Sequence, residues 1–136
     1  MIVASYSFRV RYAEVDSMKF VYYGNYAQYF ELGRVELFRK IGISYNEIEK
    51  RGIWLPVSEF YVKYIKSARY DDLLTVKTYI RKIPGVRIIF DYELFNEKNE
   101  LITTASTTLY FFDPERKKII SCPDFLLTLI KDNWKE

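Results

Sequence analysis

Histidine is absent from the 136-residue chain. That one absence removes Ser-His-Asp and Cys-His relays, histidine metal sites and imidazole general bases. Cysteine is nearly absent: Cys122 stands alone, so no disulfide forms within the chain and no thiolate cluster can hold zinc or an iron–sulfur centre. In its setting, Ile-Ile-Ser-Cys-Pro, it reads as a packing residue. No apolar run approaches the roughly 18 residues of a membrane span. The opening Met1-Ile-Val-Ala-Ser has no basic stretch, which argues against a secretory signal and makes a soluble cytoplasmic protein the expectation. Charge of one sign is lacking too. With 21 basic and 18 acidic residues the net charge is +3, no electrostatic footprint for nucleic acid. Repeats, low-complexity tracts and linkers are missing, so residues 1–136 read as one domain. Any acid–base or nucleophilic role falls to Asp, Glu, Lys, Tyr or Ser.

What the chain has in quantity is aromatic residues, 13 Tyr and 10 Phe, within a hydrophobic share of 49%. That is the composition of a globular core. Tyr6 to Tyr12 alternates apolar and polar positions and predicts a strand. Phe20 to Tyr23 is extended or looped, and Gly24-Asn25 signals a helix start, with Asn25 as cap and Gln28 closing a capping box. The helix runs to Ile41, where Gly42 suits a left-handed cap. Tyr26, Phe30, Gly33, Leu37 and Ile41 share one stripe, and Ala27, Val35 and Phe38 widen it, so the helix is expected to be largely enclosed. Gly33 in its middle suggests the close approach of a strand or ligand. Ser44 to Glu47 opens a short second helix that stops at Gly52.

From Ile53 the period changes to two. Strands are predicted over Trp54–Lys66, Leu74–Arg81, Val86–Phe95, Leu101–Phe112 and Lys117–Ser121. Pro84-Gly85 has the order of a type II turn, and Asn96–Glu100 reads as a hairpin loop. A last helix is expected over Asp124–Trp134, started by Pro123. Consecutive strands joined by short turns are expected to be antiparallel neighbours, and one long helix wrapped by an antiparallel sheet of five to six strands, an α+β fold, satisfies both patterns. The outer sheet face would carry Tyr61, Tyr79, Phe95, Tyr110 and Phe112, enough aromatic area to imply contact with another subunit.

Asp16 follows the first strand and precedes the long helix. Such placement can bring a carboxylate beside a helix N-terminus, where backbone N–H groups are unpaired and the dipole is positive. That pairing suits a carbonyl substrate: the N–H groups stabilise an oxyanion while the carboxylate attacks or activates water. On spacing alone, a turn, a cap or a surface ion pair is the commoner role for such an aspartate. Glu14 reads as surface or structural, and Glu31 and Arg34, three apart on the helix, as a mutual ion pair.

The segment Arg11-Tyr-Ala-Glu14-Val-Asp16, then Val21-Tyr22-Tyr23-Gly24-Asn25-Tyr26, Phe30-Glu31 and Arg34, resembles the N-terminal signature of the 4-hydroxybenzoyl-CoA thioesterase family. It is closest to the YbgC-like acyl-CoA thioesterases of the hotdog fold. Pro56-Val57 and Ala68-Arg69-Tyr70-Asp71-Asp72-Leu73 resemble a further block of that family. The resemblance implies Asp16 as nucleophile or general base and the backbone N–H near Tyr23 as carbonyl polariser. Many YbgC-like members have histidine where this chain has Tyr23; a backbone role survives that change and an imidazole role does not. It also implies acyl-CoA, with acyl carrier protein as a further partner, as substrate, Gly24 and Tyr26 beside the substrate, and basic residues for the coenzyme A phosphates, for which Lys66, Arg69 and Arg87 are the choices. No metal and no cofactor beyond the substrate's coenzyme A are implied. The expected assembly is a homo-oligomer, a dimer joined edge to edge or a tetramer that stacks two of them. The rival readings are a hotdog protein that binds acyl-CoA or acyl carrier protein without turnover, a hotdog dehydratase, which the missing histidine disfavours, and a partner-binding scaffold using Phe125 to Trp134.

Overall fold

The computed structural model describes residues Met1–Glu136. The chain runs β1 (Ile2–Arg9), two single 3-10 turns (Tyr12–Glu14 and Tyr23–Asn25), α1 (Tyr26–Ile41), α2 (Tyr45–Lys50), β2 (Val57–Tyr64), β3 (Leu73–Ile80), β4 (Arg87–Phe95), β5 (Leu101–Asp113), β6 (Lys118–Ile120) and α3 (Asp124–Asp132). The strands form one antiparallel sheet in the order β1-β3-β4-β5-β2, with β6 on the end of β5. This is the expected curled sheet on one long helix.

Alternation decides the core. Leu74, Val76, Thr78 and Ile80 of β3 and Ile88, Phe90, Tyr92 and Leu94 of β4 are buried, as their period of two requires. They meet Phe30, Leu37, Phe38 and Ile41 of α1. Phe30 packs on Tyr92 with ring centres 4.7 Å apart, and Phe38 meets Phe90 edge-on at 5.6 Å. At Gly33 the sheet comes closest: a Cβ there would stand 2.2 Å from Thr78 Oγ1 and 3.3 Å from Val76 Cγ2. The mid-helix glycine is therefore explained by strand β3.

Several expectations change. β1 starts at Ile2 and ends at Arg9, because Tyr12–Glu14 turns instead of extending. β2 is not the neighbour of β3. It lies beyond β5 at the far edge, so residues 65–72 cross the N-terminal end of α1 to reach β3. Every β2 residue except Val62 is exposed. Val86 is likewise exposed. Gly85 has no positive φ, so Pro84-Gly85 is not a type II turn. The side chain of Asn25 caps nothing in α1; its Nδ2 donates to the Glu14 carbonyl at 2.9 Å. Half of the 16 residues of α1 are buried, a narrower enclosure than the apolar stripe implied. Glu31 does not pair with Arg34, which is buried against the hydroxyls of Tyr92 (3.0 Å) and Tyr45 (3.3 Å). Burial opposes the Arg34 charge, but those two hydroxyls outweigh it and hold its pKa above the ordinary arginine value.

Gly42 takes the left-handed conformation at the end of α1, and Ser44 Oγ accepts from Glu47 N–H at 3.1 Å to cap α2. Helix α3 buries Leu126 and Ile130 on its own chain, the plainer of the two roles considered for it. Cys122 is buried, and burial with Asp124 nearby pushes its thiol up to about 12, so it stays protonated at neutral pH.

Gly33→Ala tests the approach of helix and sheet. Overpacking of about 1–3 kcal/mol should exceed the helix-propensity gain of about 1 kcal/mol, and the urea midpoint should fall. A higher midpoint would contradict the close approach.

Candidate active site

Residues 10–26 fold as two turns joined through one buried carboxylate. Glu14 is 6% exposed. Its Oε1 accepts from the Arg11 backbone N–H at 2.7 Å and from the Tyr29 hydroxyl at 3.1 Å, while Oε2 accepts from the Arg11 guanidinium at 2.9 and 3.0 Å. Its main-chain carbonyl accepts from Tyr22 N–H and Asn25 Nδ2, both at 2.9 Å. Glu14 thus ties the turn before Asp16 to the turn that starts α1 and to the first turn of the helix. Burial, with the Glu14 carboxylate as its acceptor, pushes the Tyr29 phenol far above its ordinary value, so it remains a donor.

Asp16 sits in the tight loop between. Val15 bridges Val21, Asp16 N–H donates to the Phe20 carbonyl at 2.8 Å, and Lys19 N–H donates to the Asp16 carbonyl at 2.9 Å. Lys19 closes the loop in the left-handed region at φ 70°, a conformation costing a non-glycine residue about 1–2 kcal/mol. The side chain is oriented by its own loop: Oδ1 accepts from Met18 N–H at 2.9 Å and Phe20 N–H at 3.3 Å. Oδ2 accepts nothing within the chain and is half-exposed with its residue.

The turn Tyr23–Asn25 supplies donors. The backbone N–H groups of Tyr23 and Gly24 have no acceptor in the chain, whereas Asn25 N–H returns to the Tyr22 carbonyl and Tyr26 N–H to the Tyr23 carbonyl. Tyr64 of β2 donates to the same Tyr23 carbonyl at 3.1 Å and packs edge-on against Tyr26, ring centres 4.9 Å apart. Gly24 lies under the Tyr22 ring, where a Cβ would come to 2.8 Å. The Tyr23 side chain is 66% exposed and stacks only on Tyr22.

Two separate concavities flank this loop. One, of about 350 Å³, is lined by Val21, Tyr23, Tyr26, Tyr64, Ile65, Lys66 and Ser67. The other, of about 390 Å³, holds Asp16 with Tyr12, Val15, Ser17, Lys19 and Tyr70. Within one chain Asp16 and Tyr23 therefore open on different hollows, and the Val15–Val21 bridge joins their walls. The three basic candidates separate. Lys66 lines the Tyr23 hollow but is ion-paired to Glu100. Arg69 stacks its guanidinium over Phe20 at 5.1 Å and lines a polar hollow of about 480 Å³ with Ser67, Asp72 and Lys98 among its walls. Arg87 stands at the opposite end of β4, about 25 Å of strand from the Asn96–Glu100 loop, and does not join them. No group of three or more Cys, Asp or Glu residues is placed to hold a metal, and no helix is long and apolar enough to cross a membrane.

Sequence spacing alone singles out neither Tyr64, Tyr29 nor the hub role of Glu14. The Arg11–Glu14 spacing, the outline of a capping box, was the available signal for the last.

Solved structures define the class. The DHNA-CoA thioesterase from Staphylococcus aureus matches with a TM-score of 0.87 at 37% identity, covering 100% of this chain and 97% of that one, and the shared architecture is the hotdog thioesterase fold. In sequence, YneP of Bacillus subtilis (strain 168), provisionally named an acyl-CoA thioesterase, is 33% identical over 120 residues, 88% of this chain and 87% of its own. The acyl-CoA thioester hydrolase YbgC of Escherichia coli O157:H7 is 27% identical over 123 residues, 90% of this chain and 92% of its own. The model of the thioesterase-like superfamily matches residues 10–130. The chain belongs to that superfamily, among the 4-hydroxybenzoyl-CoA thioesterase and YbgC-like hydrolases.

Glu14→Gln should lower stability by about 1–3 kcal/mol, the scale of charge-assisted hydrogen bonds, and should lower kcat although Asp16 is intact. Urea unfolding read beside turnover checks both. Unchanged stability would remove Glu14 from its linking role.

Proposed function

We propose that this protein hydrolyses acyl-CoA thioesters to free acid and coenzyme A. The observation that carries the reading is the pair of unpartnered N–H groups at Tyr23 and Gly24, on the same looped segment as a carboxylate held by one oxygen and free at the other. The family and the relatives named for acyl-CoA thioesters support it. The thioester lies across the Val15–Val21 bridge. Its carbonyl oxygen accepts from the Tyr23 and Gly24 N–H groups, which stabilise the developing oxyanion. The free Oδ2 of Asp16 either attacks the carbonyl carbon, giving an anhydride that water opens, or takes a proton from the attacking water. In both routes the C–S bond breaks and coenzyme A leaves as a thiolate that is protonated from solvent. Tyr26 and Tyr64 wall the carbonyl region. Lys66 and Arg69, on either side of Ser67, meet the coenzyme A phosphates; Lys66 does so by exchanging Glu100 for phosphate. Arg87 has no such place in a single protomer.

The functional unit is a homo-oligomer built on β2. That strand is an uncovered edge carrying exposed Val57, Phe60, Tyr61 and Tyr64, and edge pairing with a second copy satisfies its free backbone groups. Binding of acyl-CoA or acyl carrier protein without turnover is the second reading, favoured by the tyrosine at position 23.

Thiol release over a panel of aromatic, short-chain and long-chain acyl-CoA separates the two. Wild type should release thiol, and Asp16→Asn should lose about 10²- to 10⁴-fold in kcat while staying folded by circular dichroism. Full turnover in folded Asp16→Asn would sink the mechanism; binding without thiol release by wild type would favour the second reading. Light scattering after gel filtration should give a dimer or larger, reduced to a monomer by Val57→Lys with Phe60→Lys. A monomeric wild type at micromolar concentration would contradict the edge assembly.

A further inference from the structure

Arg34 is the one buried cation of the chain, 7% exposed, and no carboxylate pairs with it. Its Nη1 donates to the Tyr92 hydroxyl at 3.0 Å and its Nε to the Tyr45 hydroxyl at 3.3 Å. Both acceptors are neutral, and the Tyr92 hydroxyl is engaged in turn with Thr107 Oγ1 at 2.6 Å. Nη2 donates to nothing in the chain. Buried charges are ordinarily paired, because an isolated one forfeits its hydration without return. Arg34 is therefore a cation that the fold orients by two phenols and leaves without its anion.

It also faces open space. A groove of about 310 Å³ runs between α1 and the edge strand β2, with Arg34, Gln28, Glu31, Val57, Phe60 and Thr107 on its walls. Glu31, the other charged group there, is exposed and makes no ion pair. The groove runs along the first turns of α1 from Ala27, two residues past the Tyr23–Asn25 turn. The stretch from Gly24 to Arg34 spans about 15 Å along the axis, and helical side chains point back by about a turn, leaving roughly 10 Å between the free N–H groups and the guanidinium. That is the reach of an extended acyl group.

We propose that this groove receives the acyl group and that Arg34 selects acyl groups ending in a carboxylate at the end remote from the thioester. The inference rests on the thioesterase reading for its substrate, and Arg34 acts in specificity, at a distance from the reacting carbonyl. The apolar walls Val57 and Phe60 hold the chain between the two polar ends. The terminal carboxylate supplies the missing anion and accepts from Nη2.

The test compares ω-carboxyacyl-CoA thioesters with methyl-ended acyl-CoA of equal chain length. In wild type, kcat/KM should favour the acid-ended member by about ten- to hundredfold, the scale of a charged hydrogen bond, with the difference carried mainly in KM. Arg34→Met should bring the ratio near one, and Arg34→Lys, which keeps the charge without the fork, should retain part of it. Equal kcat/KM for the pair in wild type at every length overturns the proposal, and this outcome needs no variant to fold. So does a preference that persists in folded Arg34→Met. A drop in melting temperature in Glu31→Gln as large as in Arg34→Met would make Glu31 the counter-ion and overturn it as well. If wild type cleaves no acyl-CoA at all, the thioesterase reading fails separately; calorimetry of the same uncleaved pair with wild type and Arg34→Met then decides the groove, tighter acid-ended binding lost in the variant supporting it and equal binding refuting it.

Discussion

The backbone of α1 lies against strand β3 at Gly33, and the rest of the chain is arranged around that contact. Only hydrogen at position 33 lets Thr78 and Val76 come so near. With the helix seated that deep, Leu37, Phe38 and Ile41 reach the concave face of β3 and β4, and the sheet curls to cover them. β3 is paired on both sides, by β1 and β4, so β2 has no place beside it. It joins the far edge past β5, and its return to β3 must cross the end of α1 where the free N–H groups are. The crossing segment is fixed there by Val21 N–H to the Ala68 carbonyl at 2.9 Å and by the Phe20–Arg69 bridge. The topology that packs the core thus also builds the hollow beside Tyr23 and Tyr26.

The same loop divides its polar groups by task. Glu14 is saturated: both carboxylate oxygens and its carbonyl are engaged, and it holds two turns together. Asp16, two residues on, is engaged through one oxygen only. Satisfied carboxylates stabilise, while a half-satisfied one on a rigid loop is oriented and still available. The donors follow the same logic, with Asn25 and Tyr26 N–H used by the turn and Tyr23 and Gly24 N–H left over. The arrangement needs no imidazole, consistent with a chain that has none.

Elements whose signal is periodic were legible in the sequence. The faces of β3 and β4, the stripe of α1, its glycine cap and the Ser44 cap of α2 emerge as read, because local spacing determines them. What was hidden depends on strand order. Alternation in β2 cannot reveal that it is an edge strand, exposed at every residue but Val62. Arg34 reads as an ion-pair partner for Glu31 because helical spacing permits it; the Tyr92 hydroxyl that claims it comes from 58 residues away. Asp16 was found through its motif, and the split between its hollow and that of Tyr23 is a tertiary fact no spacing encodes.

The central claim is that the thioester carbonyl is held by the Tyr23 and Gly24 N–H groups within reach of Asp16. A crystal structure of Asp16→Asn with a bound, uncleaved acyl-CoA tests it most directly. The account predicts the thioester oxygen about 3 Å from one or both of those nitrogens, a hydrogen-bonding separation, with the substituted side chain at position 16 beside the carbonyl carbon. A thioester bound with its carbonyl turned away from the Tyr23–Asn25 turn, or seated in another part of the sheet, would contradict it.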